Sequence, residues 1–202
     1  MTLWRGKEPL ILASQSRARQ MLLANAGIVF ESEPAGLDER QVQQKSNLSA
    51  PGEIASLLAR EKSLSVSRRR SGRYVVGADQ TLALGARLFS KPAGRAEAAE
   101  QLQALAGRSH ELYSAVAVAR EGEILFEKVA IARMSMRCLS EAEIVAYLDE
   151  AGAAVTSSVG AYQLEGLGVH LFERIEGDHF TILGLPMLVL LEFLRNERLL
   201  SV

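Results

Sequence analysis

Two serines and an arginine stand where a short apolar run passes into a helix-forming stretch, Leu12-Ala13-Ser14-Gln15-Ser16-Arg17-Ala18-Arg19. The start of a helix leaves backbone N–H groups unpaired and carries the positive end of the helix dipole, so it binds phosphates. Serine hydroxyls add donors, and a guanidinium such as that of Arg19 can grip two phosphate oxygens at once. The segment is not a P-loop, because the glycines and the Gly-Lys-Ser/Thr ending are missing. Taken alone it reads more simply as Ser16 capping a helix and Arg19 facing water. A second candidate is Tyr74-Val75-Val76-Gly77-Ala78-Asp79-Gln80. In α/β folds ligands gather at the carboxyl ends of strands. A carboxylate there can hold a hard cation such as magnesium, or take a proton from water. The plainer alternative is an aspartate that starts a turn. The apolar run before Asp79 favours the functional reading.

Three further places carry charge in suggestive settings. Lys91 precedes Pro92, which imposes an extended or turn conformation, and a lysine there can reach a phosphate as a point charge. Lys62 follows Leu58 by four residues and so borders the apolar face of its helix, where lysines ordinarily snorkel to water. The alternative is that it points into a cleft. Glu165 sits in the glycine-bracketed run Gly160-Ala161-Tyr162-Gln163-Leu164-Glu165-Gly166-Leu167-Gly168. Glycines permit close approach of backbone to a ligand, and Glu165 can accept hydrogen bonds from the edge of a base. Asp38 and Glu39 form one more carboxylate pair, of a kind usually found in water.

These residues need a scaffold, and the chain shows an alternating one. Short strands are expected over 10–13 and 28–33, and a strand over 74–78 that ends in Asp79. Helices are expected over 16–27, with Met21, Leu22 and Ala26 inward, and over 52–69, with Ile54, Leu57, Leu58 and Leu64 inward. The polar stretch 38–49 reads as a surface loop. Downstream, 94–105 is an alanine-rich helix. A hairpin joins 110–120 to 123–136 through Glu121-Gly122. Ser140 and Glu143 form a capping box that opens a helix to Glu150. A strand over 169–175 and a last helix over 185–195 follow. Strands and helices interleaved about a central hairpin predict an α/β domain with a mixed sheet.

The bulk properties narrow the partners. In 202 residues, 23 Lys and Arg face 24 Asp and Glu, for a formal net charge of -1. Coating of nucleic acid is thereby disfavoured, since that affinity comes from excess cations. One cysteine, Cys138, excludes an internal disulfide framework, and His110, His170 and His179 are too scattered in sequence to announce a metal cluster. The longest apolar run, near Leu183 to Leu191, is broken by Gly184 and Pro186, and no secretory leader is visible. The expectation is a cytoplasmic protein without a membrane or nucleic-acid polymer as partner. Trp4 and Cys138 read as structural or incidental.

Taken together and in order, LILASQSRARQMLLANAGIVFE, LDE, LAREKS, VVGADQTLAL, SKP, SSVGAYQLEGLG, LFERIEGD and ILGLP resemble the Maf family of nucleotide pyrophosphatases, over roughly residues 10 to 195. The resemblance implies an α/β, Maf/ITPase-like two-lobed fold around a long mixed β-sheet with a cleft between lobes. It implies a single domain over 10–202 behind a short extension, 1–9. It also implies hydrolysis of nucleoside triphosphates to monophosphate and pyrophosphate, a divalent metal cation (Mg or Mn), and often a homodimer. Position by position, Asp79 matches the proton acceptor. Ser14, Ser16, Arg19, Lys62 and Lys91 match phosphate-handling positions, and Glu39 with Asp79 the metal-handling ones. Ala18, Gln80 and Glu165 fall at positions that separate substrate branches, with Gln80 and Glu165 as in the branch acting on 7-methyl-GTP. The usual Ser-x-Ser-Pro-Arg-Arg pattern is altered, because Arg17 replaces the proline and Ala18 the first arginine. The alternatives are the same reaction on dTTP or UTP, and a mainly non-catalytic nucleotide-binding regulator of cell division, since the family is linked to septum formation. His110 matches a frequent family histidine and receives no catalytic role.

Overall fold

The computed structural model describes residues 3–202. In chain order the elements are β1 (Leu10–Leu12), α1 (Arg17–Asn25), β2 (Phe30–Ser32), α2 (Glu39–Ser46), α3 (Pro51–Ser67), β3 (Val75–Leu84), β4 (Arg87–Phe89), α4 (Arg95–Leu105), β5 (Ser109–Arg120) and β6 (Glu123–Met136). They continue with α5 (Glu141–Ala151), three short 3-10 turns, β7 (Phe172–Glu176), α6 (His179–Ile182) and α7 (Met187–Asn196). The strands form a seven-stranded mixed sheet of order β2-β1-β3-β5-β6-β7, with β4 paired to β3. The expected α/β class with a mixed sheet is what the chain adopts. No helix among the described residues is long and apolar enough to cross a membrane.

The chain divides into two compact units. The first comprises Met1–Gln80, Ser114–Ala130 and His179–Val202. In it β1 runs parallel to β2 and to β3, with Leu12 opposite Val76. Period-two alternation sorts the side chains of β3. Val76 and Ala78 join Leu10, Leu12, Val116, Val118 and the apolar residues of α7 in one core, whereas Val75 packs with Ile11, Ala13 and Val66 of α3 in another. Asp79, in phase with Val75 and Gly77, therefore belongs to the α3 face, and Gln80 to the other. Gly77 allows this layering. A Cβ there would lie 2.1 Å from the Ala59 carbonyl oxygen, so only glycine lets α3 cross the strand so closely.

The second unit comprises Thr81–Tyr113 and Ile131–Asp178. Here β4 folds back antiparallel on the end of β3, with Leu82 opposite Phe89, and β7 runs antiparallel to β6. Helix α4 packs against α5 and against the 3-10 turn at Val159–Ala161. Its buried positions are Ala98, Gln101, Leu102 and Leu105.

Several local expectations change. The strand does not stop at Asp79 but runs on to Leu84, because Thr81-Leu82-Ala83-Leu84 continues the strand pattern and pairs with β4. The polar stretch after Leu37 is helical from Glu39, since Asp38 caps it by accepting from the Gln41 N–H. That helix buries no residue, so it has no apolar stripe to announce it. On α1 the inward residues are Leu22 and Leu23, while Met21 is exposed. The expected strand from Val169 is a 3-10 turn as far as Leu171, and α6 has no counterpart in the sequence reading. The Glu121-Gly122 hairpin holds, with φ of 52° and 77°, as a two-residue turn of this kind requires. The Ser140–Glu143 capping box also forms.

His110 on β5 is buried, and its Nε2 lies 2.7 Å from the Tyr162 hydroxyl. Its Nδ1 has no hydrogen-bond partner among the described residues. Burial pulls its pKa down to about 4. The unfolded chain protonates this histidine below its ordinary 6.5, whereas the folded protein does not until about 4. Stability should therefore fall as pH drops from 6.5 to about 4, by an amount on the order of 3 kcal/mol from this residue. Urea unfolding at pH 7 and 4.5 tests this. In His110→Gln the acid loss should shrink; an equal loss in both proteins would exclude His110 as its source.

Candidate active site

Beyond Leu12 the first unit assembles its polar residues. Ser16 caps α1, its hydroxyl accepting from the Arg19 N–H, so the simple capping role is real. The Ser14 hydroxyl accepts twice, from the Ser16 N–H at 3.2 Å and from Arg19 Nη1 at 3.2 Å. Two acceptances fill its lone pairs and leave its proton to donate. Arg19 is not in water. Its Nε donates to the Gly184 carbonyl and its Nη1 to the Ala78 carbonyl, both at 2.8 Å. Burial lowers the Arg19 pKa, opposed by the charges of Asp79 and Glu39. Nη2 makes no hydrogen bond among the described residues, so this end of the fork is left to meet an anion. A Cβ on Gly184 would stand 3.3 Å from Nη2, and Gly184 has φ of 87°. Both facts favour glycine at that turn.

On the α3 face Lys62 is buried, not snorkelling. Its Nζ lies 2.6 Å from Asp79 Oδ1 and 2.8 Å from Glu39 Oε1. Asp79 and Lys62 are each about one-tenth exposed at the side chain, Glu39 about one-half. Glu39 is the first residue of α2, where the helix dipole favours a carboxylate. Burial raises the Asp79 pKa, and the charges of Lys62 and Arg19 oppose that rise. Three residues scattered over positions 39, 62 and 79 thus form one cluster, with a basic guanidinium alongside. A buried carboxylate whose pKa is raised suits proton transfer. No group of three or more His, Cys, Asp or Glu able to hold a metal ion occurs among the described residues.

Other expected site residues are placed differently. Ala18 packs against the apolar core. Arg17 is exposed. Gln80 has its Nε2 near three acceptors, the Ser114 hydroxyl at 2.8 Å and the carbonyls of Thr181 and Ile182 at 3.1 and 3.0 Å. Ser114 in turn donates to the Thr181 carbonyl. The turn 181–184 therefore holds both Gln80 and Arg19 through backbone carbonyls. The sequence reading missed this turn, Ser114 and Gly184. The run Gly184-Leu185-Pro186 signals a turn, but nothing local says which side chains its carbonyls meet. Lys91 and Glu165 belong to the second unit, and both are exposed.

A family profile described as Maf-like protein matches residues 9–197. The chain belongs to the Maf family. Among its Maf relatives, a nucleoside triphosphate pyrophosphatase of Bradyrhizobium diazoefficiens is 68% identical over 202 residues, covering all of both chains. Another protein of that name, from Rhodopseudomonas palustris strain CGA009, is 67% identical over 202 residues, again covering all of both chains. A 7-methyl-GTP pyrophosphatase of Rhizobium meliloti is 49% identical over 192 residues, covering 94% of this chain and 96% of its own.

Proposed function

We infer that this Maf protein is a hydrolase that cleaves the α–β phosphoanhydride of a nucleoside triphosphate, giving the monophosphate and pyrophosphate. The observation that carries the reading is the buried Asp79 held between burial and the Lys62 charge, with Arg19 and the Ser14 hydroxyl proton beside it. We take residues 10–202 as one working domain and 1–9 as an extension. Arg19 Nη2, the Ser14 hydroxyl and the N-terminal amides behind the Ser16 cap hold phosphate oxygens, with Lys91 as a further cation. Asp79 takes a proton from a water that attacks the α-phosphorus. The new bond is P–O from water, the broken bond is that to the bridging oxygen, and pyrophosphate leaves with that oxygen.

Two carboxylates, Glu39 and Asp79, already converge on one cation, the Lys62 ammonium. Such a hard oxygen pair fits Mg or Mn, which take one or two carboxylates and complete their shell with water and substrate phosphates. Bound there, a divalent cation supplies charge neutralisation and makes water more acidic. Arg19 and Lys62 supply the remaining positive field through the protein itself.

The test is incubation with a panel of GTP, 7-methyl-GTP, UTP, dTTP and the other triphosphates, with Mg or Mn, reading pyrophosphate and monophosphate. Pyrophosphate release is expected. Release of single phosphate would place cleavage at β–γ, and no turnover of any nucleotide would leave only the regulator reading. Gln80 and Glu165, with the Rhizobium relative, favour a guanine base and 7-methyl-GTP in particular. A carboxylate accepts from a guanine N1–H and amino group together and suits a cationic base. Glu165→Gln should therefore lower kcat/KM for guanine nucleotides about tenfold relative to UTP. Unchanged ratios across the panel would remove Glu165 from base recognition and leave the dTTP/UTP alternative.

A further inference from the structure

One polar side chain breaks the apolar stripe of α4. Positions 98, 101, 102 and 105 face inward, and three of them are Ala or Leu, but the fourth is Gln101, which is 4% exposed. A buried amide is costly unless both its ends are paired. Both ends are paired here: Nε2 also lies 3.4 Å from Glu97 Oε1 one turn back on α4, and the two shorter bonds reach two separate loops. Nε2 donates to the Ser90 carbonyl at 2.9 Å, and Oε1 accepts from the Gly160 N–H at 3.1 Å. Ser90 immediately precedes Lys91. Gly160 opens the run that carries Glu165.

The anchoring at Gly160 is tight. A Cβ there would lie 2.6 Å from Leu82 Cδ1, and its φ is 78°. Gly160 is thus fixed in a conformation that favours glycine, and its N–H donates to Gln101 Oε1. Farther along the loop Gly168 folds back on Gln163, where a Cβ would stand 2.4 Å from the carbonyl oxygen. Anchored at Gly160 and folded at Gly168, the run is held at both sides of Glu165. The Ser90 carbonyl is likewise held from inside. Pro92 has no N–H to donate, and the same turn is held by two side chains of α4, Glu97 accepting from the Ala93 N–H at 2.8 Å and Gln101 donating to the Ser90 carbonyl.

We propose that Gln101 is a positioning residue that fixes the Lys91 loop and the Glu165 loop with one amide, and so couples the grip on the phosphate chain to the grip on the base. It touches neither. The proposal rests on the phosphate role of Lys91 and the base role of Glu165. Neither family resemblance nor local pattern singles out residue 101, and the signal lies in a polar group at a stripe position of a buried helix face.

The test compares Gln101→Met, Lys91→Ala and Glu165→Gln, and the double variant of Gln101→Met with Lys91→Ala. Two readouts are taken: inhibition by inorganic pyrophosphate, and the kcat/KM ratio of 7-methyl-GTP to UTP. Methionine keeps the volume and removes both hydrogen bonds. Expected for Gln101→Met is a KM and a pyrophosphate inhibition constant each raised about five- to tenfold, a flattened base ratio, and kcat changed less than twofold. Lys91→Ala should move the pyrophosphate constant alone, and Glu165→Gln the base ratio alone. The double variant should weaken pyrophosphate binding no more than Lys91→Ala does.

Gln101→Glu serves as the second variant, against the case in which methionine destabilises the fold. Read at pH 9, to favour the ionised form against burial and the Glu97 carboxylate, its carboxylate still accepts from the Gly160 N–H but cannot donate to the Ser90 carbonyl. It should weaken pyrophosphate inhibition and spare the base ratio. If Lys91→Ala and Glu165→Gln respond while both Gln101 variants leave the two readouts unchanged, or lower only kcat and thermal stability, the positioning role is overturned. Additive effects in the double variant overturn it too. If Lys91→Ala and Glu165→Gln are themselves silent, the reading beneath it fails instead, and the proposal with it.

Discussion

Asp79→Asn should nearly abolish turnover and leave the folded protein able to bind nucleotide. The expected fall in kcat is about a thousandfold, within the range removed with a positioned base. Asparagine keeps the shape of the side chain, but its amide cannot take a proton from water. The groups proposed to hold phosphate are untouched, because Arg19 is held by the carbonyls of Gly184 and Ala78 and by Ser14. Nucleotide affinity, read by titration calorimetry without added metal, should therefore change only about two- to threefold. Stability should not fall either. Burial raises the Asp79 pKa, so the folded state holds that proton more tightly than the unfolded chain does. Its contribution to folding is thus greatest below the ordinary aspartate value of 3.8 and declines as pH rises through the folded value. Asparagine removes that decline, and Lys62 keeps Glu39 at 2.8 Å. The variant should gain on the parent in urea midpoint as pH rises. Full activity in the variant would strip Asp79 of its role. A loss of binding and melting temperature together would make the residue structural.

Lys62→Met should also be nearly inactive at neutral pH, about a hundredfold down in kcat/KM, for a different reason. Lys62 supplies the largest of the effects that oppose the burial of Asp79. Without it, burial acts against the charge of Arg19 alone, and the Asp79 carboxyl keeps its proton to higher pH. A larger share of Asp79 should then be protonated and unable to act as the proposed base. Raising the pH should restore part of the activity, with the acid limb of the profile displaced upward from that of the parent. A variant flat and low at every pH would show that Lys62 acts chiefly by touching phosphate. Its stability loss should be smaller than the about 3–5 kcal/mol that stranding a buried charge costs, because Asp79 escapes the penalty by taking up a proton. Urea unfolding at pH 7 measures that loss.

Much of the scaffold is legible because short-range physics fixes it. The two-residue hairpin at Glu121-Gly122, the capping box at Ser140 and the N-cap at Ser16 each follow from the chemistry of three or four neighbouring residues. Boundaries were misread where a distant partner decides. β3 extends past Asp79 because β4 returns to pair with it. α2 is a helix without a buried side, so hydrophobic periodicity was silent there. Met21 and Leu23 exchange roles on α1 because the direction of the core is set by α7 and the sheet, not by α1. The candidate site was partly legible. Types and order of residues singled out Ser14, Arg19, Lys62 and Asp79, but the plainer readings placed Arg19 and Lys62 in water. Ser114, Gly184 and Gln101 were invisible, since each matters through a partner many positions away.

What the sequence determined by itself was the class of fold, the family and the chemical inventory: hydroxyls and cations for phosphate, carboxylates for a metal or a proton, and no excess charge for a polyanion. Those are properties of composition, local pattern and ordered motifs, and a chain carries them before it folds. Only the tertiary structure decided that Glu39, Lys62 and Asp79 form a single cluster. The cause is Gly77, which lets α3 approach β3 closely enough to put Lys62 within 2.6 Å of Asp79. Only the fold, too, turned Arg19 so that two carbonyls and a serine engage its Nε and Nη1 and leave Nη2. Protonation follows from that packing. An aspartate's ordinary pKa belongs to its type, but its shift belongs to burial and to the charges the fold brings beside it.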